Sequence, residues 1–194
     1  MSAHESMEHA EHAEHASGEN KKIALLIAVI ALCLALSETL GKGAQTESIA
    51  KNVEASNLWA FFQAKTIRRT VVQTAAEQGK LITPADDAAK AALAKQIDDW
   101  QKTAARYRSE PSTHEGSEEL AERAKHAEEE RNVSTEKYHH YELASAAFQI
   151  SIVLASATII TGMVWLAWIA GALTLCGIAI TALGVFNASL LHLH

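Results

Sequence analysis

Only two prolines and two cysteines occur in the 194 residues, aromatic side chains make up 6%, and no Asp, Glu, Lys or Arg follows Glu142. Each scarcity excludes something. With proline confined to Pro84 and Pro111, little interrupts long helices, and the chain is expected to be all-α. Cys33 and Cys176 both fall inside apolar runs and there is no CxxC, so they read as small core residues and not as a disulfide framework. HExxH, a phosphate-cradling glycine loop, GxSxG and GxGxxG are all absent, which removes the common hydrolytic and nucleotide-binding constellations; an enzyme is not expected. The 17 Lys and Arg lie between Lys21 and Lys137, mixed with acids to a net charge of −6. No basic face follows the chain, so a nucleic-acid partner is not expected.

What is present is segregated. The run "IALLIAVIALCLALSETL" (Ile23–Leu40) is long enough to cross a hydrocarbon core, which needs about 20 helical residues. A cleaved signal peptide is the rival, since Ala35-Leu36-Ser37 resembles a cleavage site, but the preceding segment is long and acidic where such a leader is short and basic. The charge-free block from Leu143 to Leu191 is too long for one crossing and divides at "GMVWLAWIAG" (Gly162–Gly171), where Trp165 and Trp168 suit an interface. The expected architecture is an all-α membrane protein with three transmembrane helices, at 23–42, 143–165 and 166–191. A helical or coiled-coil insertion occupies 43–142, and the tails are 1–22 and 192–194.

In the insertion, Ile49, Val53, Ser56, Ala60, Ala64, Ile67, Val71 and Thr74 follow a 3/4 spacing, so 44–78 reads as one helix ending at Gly79, with this stripe as its packing seam. Thr83-Pro84 supplies a start for a second helix with the stripe Ala85, Ala89, Leu93, Gln96, Trp100, Ala104 and Tyr107. Ser112 and Glu115 form a capping box for a third, running without a break into the second span. Three full antiparallel excursions would leave the chain far from the bilayer it re-enters, so one helix must be short, broken or sideways. "NLWAFFQAKTIRR" (Asn57–Arg69), with Trp59, Phe61 and Phe62 ahead of its cations, fits an interfacial segment or partner contact, and equally a core aromatic cluster. Basic residues near the spans place the insertion in the cytoplasm: Lys42, Lys51, Arg123, Lys125, Arg131 and Lys137 against Lys21 and Lys22.

Small residues repeat along all three spans, which favours close packing and a homo-oligomer. Ala24, Ala28, Ala31 and Ala35 lead to Glu38. Ala144, Ala147, Ser151, Ala155, Thr158 and Gly162 step back to His140, and Ala170, Thr174, Gly177, Thr181, Gly184 and Ala188 step on to His192. Glu38, His140 and His192 therefore form a candidate proton or divalent-metal cluster at one membrane level, against the simpler reading that polar residues at helix ends sit at the interface. The repeat "MEHAEHAEHA" (Met7–Ala16) offers His9, His12 and His15 as a metal-binding arm, a pH-sensitive helix or a solvated tail. No cofactor is otherwise expected.

The stretches "LALSETLGKGAQTE" and "NVEASNLWAFFQAKTIRRT", with the His/Glu-rich start and the two-helix end, resemble the bacterial domain-of-unknown-function 4337 family. The resemblance implies a bacterial inner-membrane location and no activity. The residues themselves suggest a non-enzymatic membrane scaffold or adaptor that oligomerises or binds a protein partner through its helical insertion. The alternative is a proton- or metal-responsive transporter or channel-like oligomer using Glu38 and the histidines.

Overall fold

The computed structural model describes residues 3–191, with side chains over residues 21–186. Four helices and no strand occupy the described residues: α1 (Ala3–Lys80), α2 (Asp87–Arg108), α3 (Ser117–Thr161) and α4 (Trp165–Leu191). Three stretches, Lys21–Lys80, Ser117–Thr161 and Trp165–Phe186, are long and apolar enough to cross a membrane. The chain divides into two compact units, one of residues 1–47 with 133–194 and the other Ser48–Asn132; α1 and α3 contribute to both.

The first unit is built from the start of α1, the end of α3, and α4. Its core is Ile30, Ala144 and Phe148, flanked by Leu26, Cys33, Leu34, Ile152 and Ile180. The small residues of α3 and α4 act as the sequence suggests, because Ala144, Ser151, Ala155, Thr158, Ala170 and Thr174 are all buried. Two glycines of α4, one heptad apart, receive two rings of α3. A Cβ on Gly177 would stand 2.7 Å from Phe148 Cε1, and one on Gly184 would stand 3.0 Å from Tyr141 Cε1. The hydroxyls on this seam satisfy themselves: Ser151, Thr158, Thr174 and Thr181 each donate to the carbonyl four residues earlier, at 2.7–3.1 Å. They can therefore be buried without an orphaned donor.

Two expectations are corrected in this unit. The second span was expected through Trp165 and the third from 166, but α3 stops at Thr161 and α4 opens at Trp165. Gly162 takes φ 70°, the left-handed conformation that ends a helix and that glycine adopts without steric cost. The seam Ala24, Ala28, Ala31, Ala35 and Glu38 is not the packing face of α1 either. Those five residues are exposed, and Ile30, Ser37, Gly41 and Ala44 are the buried ones. Alanine tolerates either side, so spacing alone does not choose.

The second unit packs α2 and the first part of α3 against the later part of α1. Gly79 meets Ile97 and Trp100, and Lys65 lies over Tyr107. Further back along α1, Trp59 meets Glu128 and Asn52 meets Arg131. Partner numbers rise as α1 numbers fall, so both α2 and α3 run antiparallel to α1, one after the other. The return leg is broken at 109–116, which is how the chain avoids a third excursion. Asn57–Arg69 accordingly does not lie sideways; it is the middle of an unbroken helix. Its aromatics join the core: Trp59 and Phe62 pack on Ala55, Leu58, Leu120, Ala124 and Ala127, with their rings at 5.4 Å and 88°.

Helix starts in this unit also differ from the sequence reading. α2 begins with Asp86, whose carboxylate accepts from the Ala89 N–H at 2.7 Å, so Thr83-Pro84 stays in the preceding turn. The Ser112/Glu115 box does not form. α3 starts at Ser117, and Glu119, three residues after Gly116, accepts from Ser109 Oγ and the Glu110 N–H. A Cβ on Gly116 would come within 2.7 Å of Ser109 Cα and 2.6 Å of Glu110 N, so only glycine lets the two ends of this junction approach. On α2 the inward residues include Leu93, Trp100, Ala104 and Tyr107, with Ile97 in place of Gln96.

Candidate functional site

An open notch of about 500 Å³ lies between α1 and α3 in the first unit. Ser37, Glu38 and Lys42 approach it from α1, and Tyr138, Glu142 and Gln149 from α3. Its floor is held by Ser37 Oγ donating to the Tyr141 carbonyl at 3.0 Å, with Gly41 against Tyr141 Cβ. Two carboxylates, an ammonium and a phenol thus share one polar recess. Such a set can hold a proton or a cation transiently, but it supplies only two anionic ligands where a metal centre needs more.

His140 is not among the residues lining this notch. It projects from another face of α3, where its Cβ would stand 3.2 Å from a Cβ on Gly184 of α4. The structure therefore does not bring Glu38 and His140 together, because two residues apart on a helix point about 160° away from each other once Tyr138 and Glu142 take the notch side. His192 lies outside the described residues. His139 Nδ1 sits 3.7 Å from Glu142 Oε2, both side chains exposed. Among the described residues no group of three or more His, Cys, Asp or Glu could hold a metal ion. His9, His12 and His15 fall in the helical backbone of α1, and their side chains lie outside the described residues.

The aromatic candidates divide. Trp59 Nε1 donates to Glu128 at 2.9 Å and Phe62 is packed, whereas Phe61 is 38% exposed. Phe61 and Tyr107 flank the buried Lys65 ammonium at 5.4 and 5.5 Å, with Glu115 at 3.6 Å, so this cation is paired and serves packing. Sequence reasoning did not single out Lys65, since a cation inside an apolar stripe reads as an interruption of it.

A larger feature is an uncovered face. In the second unit Ile49, Val53, Ile67 and Val71, expected to form the packing seam of α1, are 59%, 53%, 64% and 62% exposed. The covered residues are Ala55, Leu58, Lys65, Ala76 and Gly79. The helix has two apolar sides, and α2 and α3 cover only the second.

Taken together, the helices and the small-residue seams define an all-helical protein of the kind that carries three potential membrane spans and a helical extension. Residues 19–187 match the family described as Domain of unknown function (DUF4337), and the chain belongs to that family. No curated protein and no solved structure matches the chain.

Proposed function

We propose that this protein is a non-enzymatic membrane scaffold or adaptor of the bacterial inner membrane, held by three helices and assembling through its helical insertion on the cytoplasmic side. The observation that carries the reading is the aliphatic face of α1 in the second unit, four half-exposed branched side chains on a helix whose other side is already packed. Exposed apolar surface of this kind marks interaction sites. Membrane residence is supported by three helices of sufficient length and apolarity and by the charge-free C-terminal block. The test is retention of the full chain in carbonate-washed membranes, followed by its native mass after mild solubilisation. Retention with a mass above one chain is expected; release by carbonate, or a mass of one chain under all conditions, overturns the reading.

A second reading rests on the notch. Glu38 and Glu142 facing Lys42 would suit a proton- or cation-responsive assembly. Glu38→Gln should then abolish pH-dependent flux in proteoliposomes between about pH 4 and 8, a range that starts at the ordinary carboxylate value. Absence of flux in the unmodified protein over that range removes this reading and leaves the scaffold untouched.

A further inference from the structure

The notch between α1 and α3 in the first unit lies where two chemical boundaries meet. On α1 the apolar run 23–40 ends at Leu40, between Glu38 and Lys42; on α3 no Asp, Glu, Lys or Arg follows Glu142. The hydrogen bond from Ser37 Oγ to the Tyr141 carbonyl and the contact of Gly41 with Tyr141 bring both boundaries to one level. With the helices in a bilayer, that is the level of the lipid headgroups. The recess is uncovered on its outer side. α4 packs on another face of α3, at Tyr141 and Phe148, and leaves Glu38, Lys42, Glu142 and Gln149 exposed.

Gln149 points to what occupies it. It is the single carboxamide between Glu142 and Asn187, in a block otherwise built of apolar residues and hydroxyls. It stands about 10 Å past Glu142 along the helix, at 1.5 Å per residue, and its side chain leans back toward the notch it lines. Hydroxyls of this block satisfy themselves on their own helix, as Ser151, Ser156 and Thr158 do. Gln149 does not: among the described residues its side chain has no hydrogen-bond partner, and neither the Glu38 carboxylate nor the Lys42 ammonium has an ion pair. An amide left unpaired against hydrocarbon is costly. A glycerol ester carbonyl just below the headgroups would accept from it. Nearer the insertion, Lys42 and Tyr138 can donate to a phosphate, and Glu38 and Glu142 can accept from an ammonium. Two carboxylates against one ammonium disfavour a headgroup whose only charge is its phosphate. A quaternary ammonium has no N–H to give them.

We infer that the notch holds a phospholipid whose headgroup ends in a primary ammonium: the ammonium on Glu38 and Glu142, the phosphate on Lys42 and Tyr138, and an ester carbonyl on Gln149. The inference rests on the membrane residence in the scaffold reading, and needs neither the assembly nor the flux. The full chain is reconstituted in nanodiscs of phosphatidylethanolamine, phosphatidylcholine and phosphatidylglycerol in equal parts with identical acyl chains. Lipids that stay with it after detergent extraction are counted by native mass spectrometry. Phosphatidylethanolamine should be retained over the other two. Glu142→Gln and Lys42→Gln should each cut its retention about tenfold, the order for one charge-assisted hydrogen bond. Glu47→Gln, which removes an exposed charge of the same unit outside the notch, should leave retention unchanged. All three side chains are exposed, so helicity by circular dichroism should be the same in every variant. Equal retention of the three lipids, a preference for phosphatidylglycerol, or unchanged retention in Glu142→Gln and Lys42→Gln overturns the lipid site. So does equal loss in Glu47→Gln, or soluble glycerophosphoethanolamine binding as tightly as the lipid. With a carbonate-resistant chain, any of these outcomes leaves the membrane reading standing; a carbonate-released chain overturns both.

Discussion

The two units solve helix packing differently. In the first, glycines of α4 open sockets for the Phe148 and Tyr141 rings of α3, and buried hydroxyls bond their own helix. In the second, alanines and leucines make the core and polar side chains close its edges: Trp59 to Glu128, Lys51 to Glu130 at 2.8 Å, and Glu119 to Ser109. Backbone proximity organises the first and side-chain volume the second. The difference teaches where each unit is vulnerable.

The sharpest way to break that contrast is Leu120→Ala, because Leu120 is fully buried at the centre of the second unit. The loss should be about 2–5 kcal/mol, the usual range for emptying a leucine site. Amide exchange should accelerate over 48–132 while 140–160 and α4 stay protected. Gly177→Leu should do the opposite, loosening α3 against α4 by about 1–3 kcal/mol as the new side chain drives into Phe148. If both variants loosened the whole chain alike, the two packing modes would not be separate. A smaller effect, about 1 kcal/mol, is expected from Glu128→Ala, which removes the acceptor of the Trp59 hydrogen bond and leaves the indole in place; chemical denaturation measures it.

The smallest effect is on pH dependence. The hydrogen bond from Ser109 Oγ is the chief cause holding the Glu119 carboxyl below its ordinary value. A lowered carboxylate pKa means that the charged form favours the folded junction, so its contribution is present at neutral pH and is lost as pH falls through the lowered value. Melting temperature should therefore drop on acidification, and Glu119→Gln should shallow the acid limb of that profile. An unchanged limb would show that other carboxylates govern it.

Much of the helical plan was legible. The uninterrupted passage of α3 from the charged insertion into the apolar block follows from the lack of proline or glycine between Ser117 and Thr161. The small-residue faces of α3 and α4 were readable because in each only one face is small. α1 was not readable in the same way. Its outward line Ile49, Val53, Ile67, Val71 is more aliphatic than its covered line Ala55, Leu58, Lys65, Ala76, so periodicity selected the wrong side. The step from the α3 seam back to His140 did not lead to Glu38 for a related reason, since it assumes a phase that Tyr138 and Glu142 claim for the notch.

Composition and period alone determined that this chain is helical, segregated into apolar and charged stretches, and free to run long helices, since those properties depend on each segment's own spacing and on the rarity of breakers. Which side of a two-faced helix is covered, and where the return leg breaks, only the tertiary structure decided. A helix apolar on two sides gains by burying either, and the choice falls to the neighbour whose shape fits: here a Gly116 junction that sets α2 and α3 in succession along the face bearing Ala55, Leu58 and Gly79.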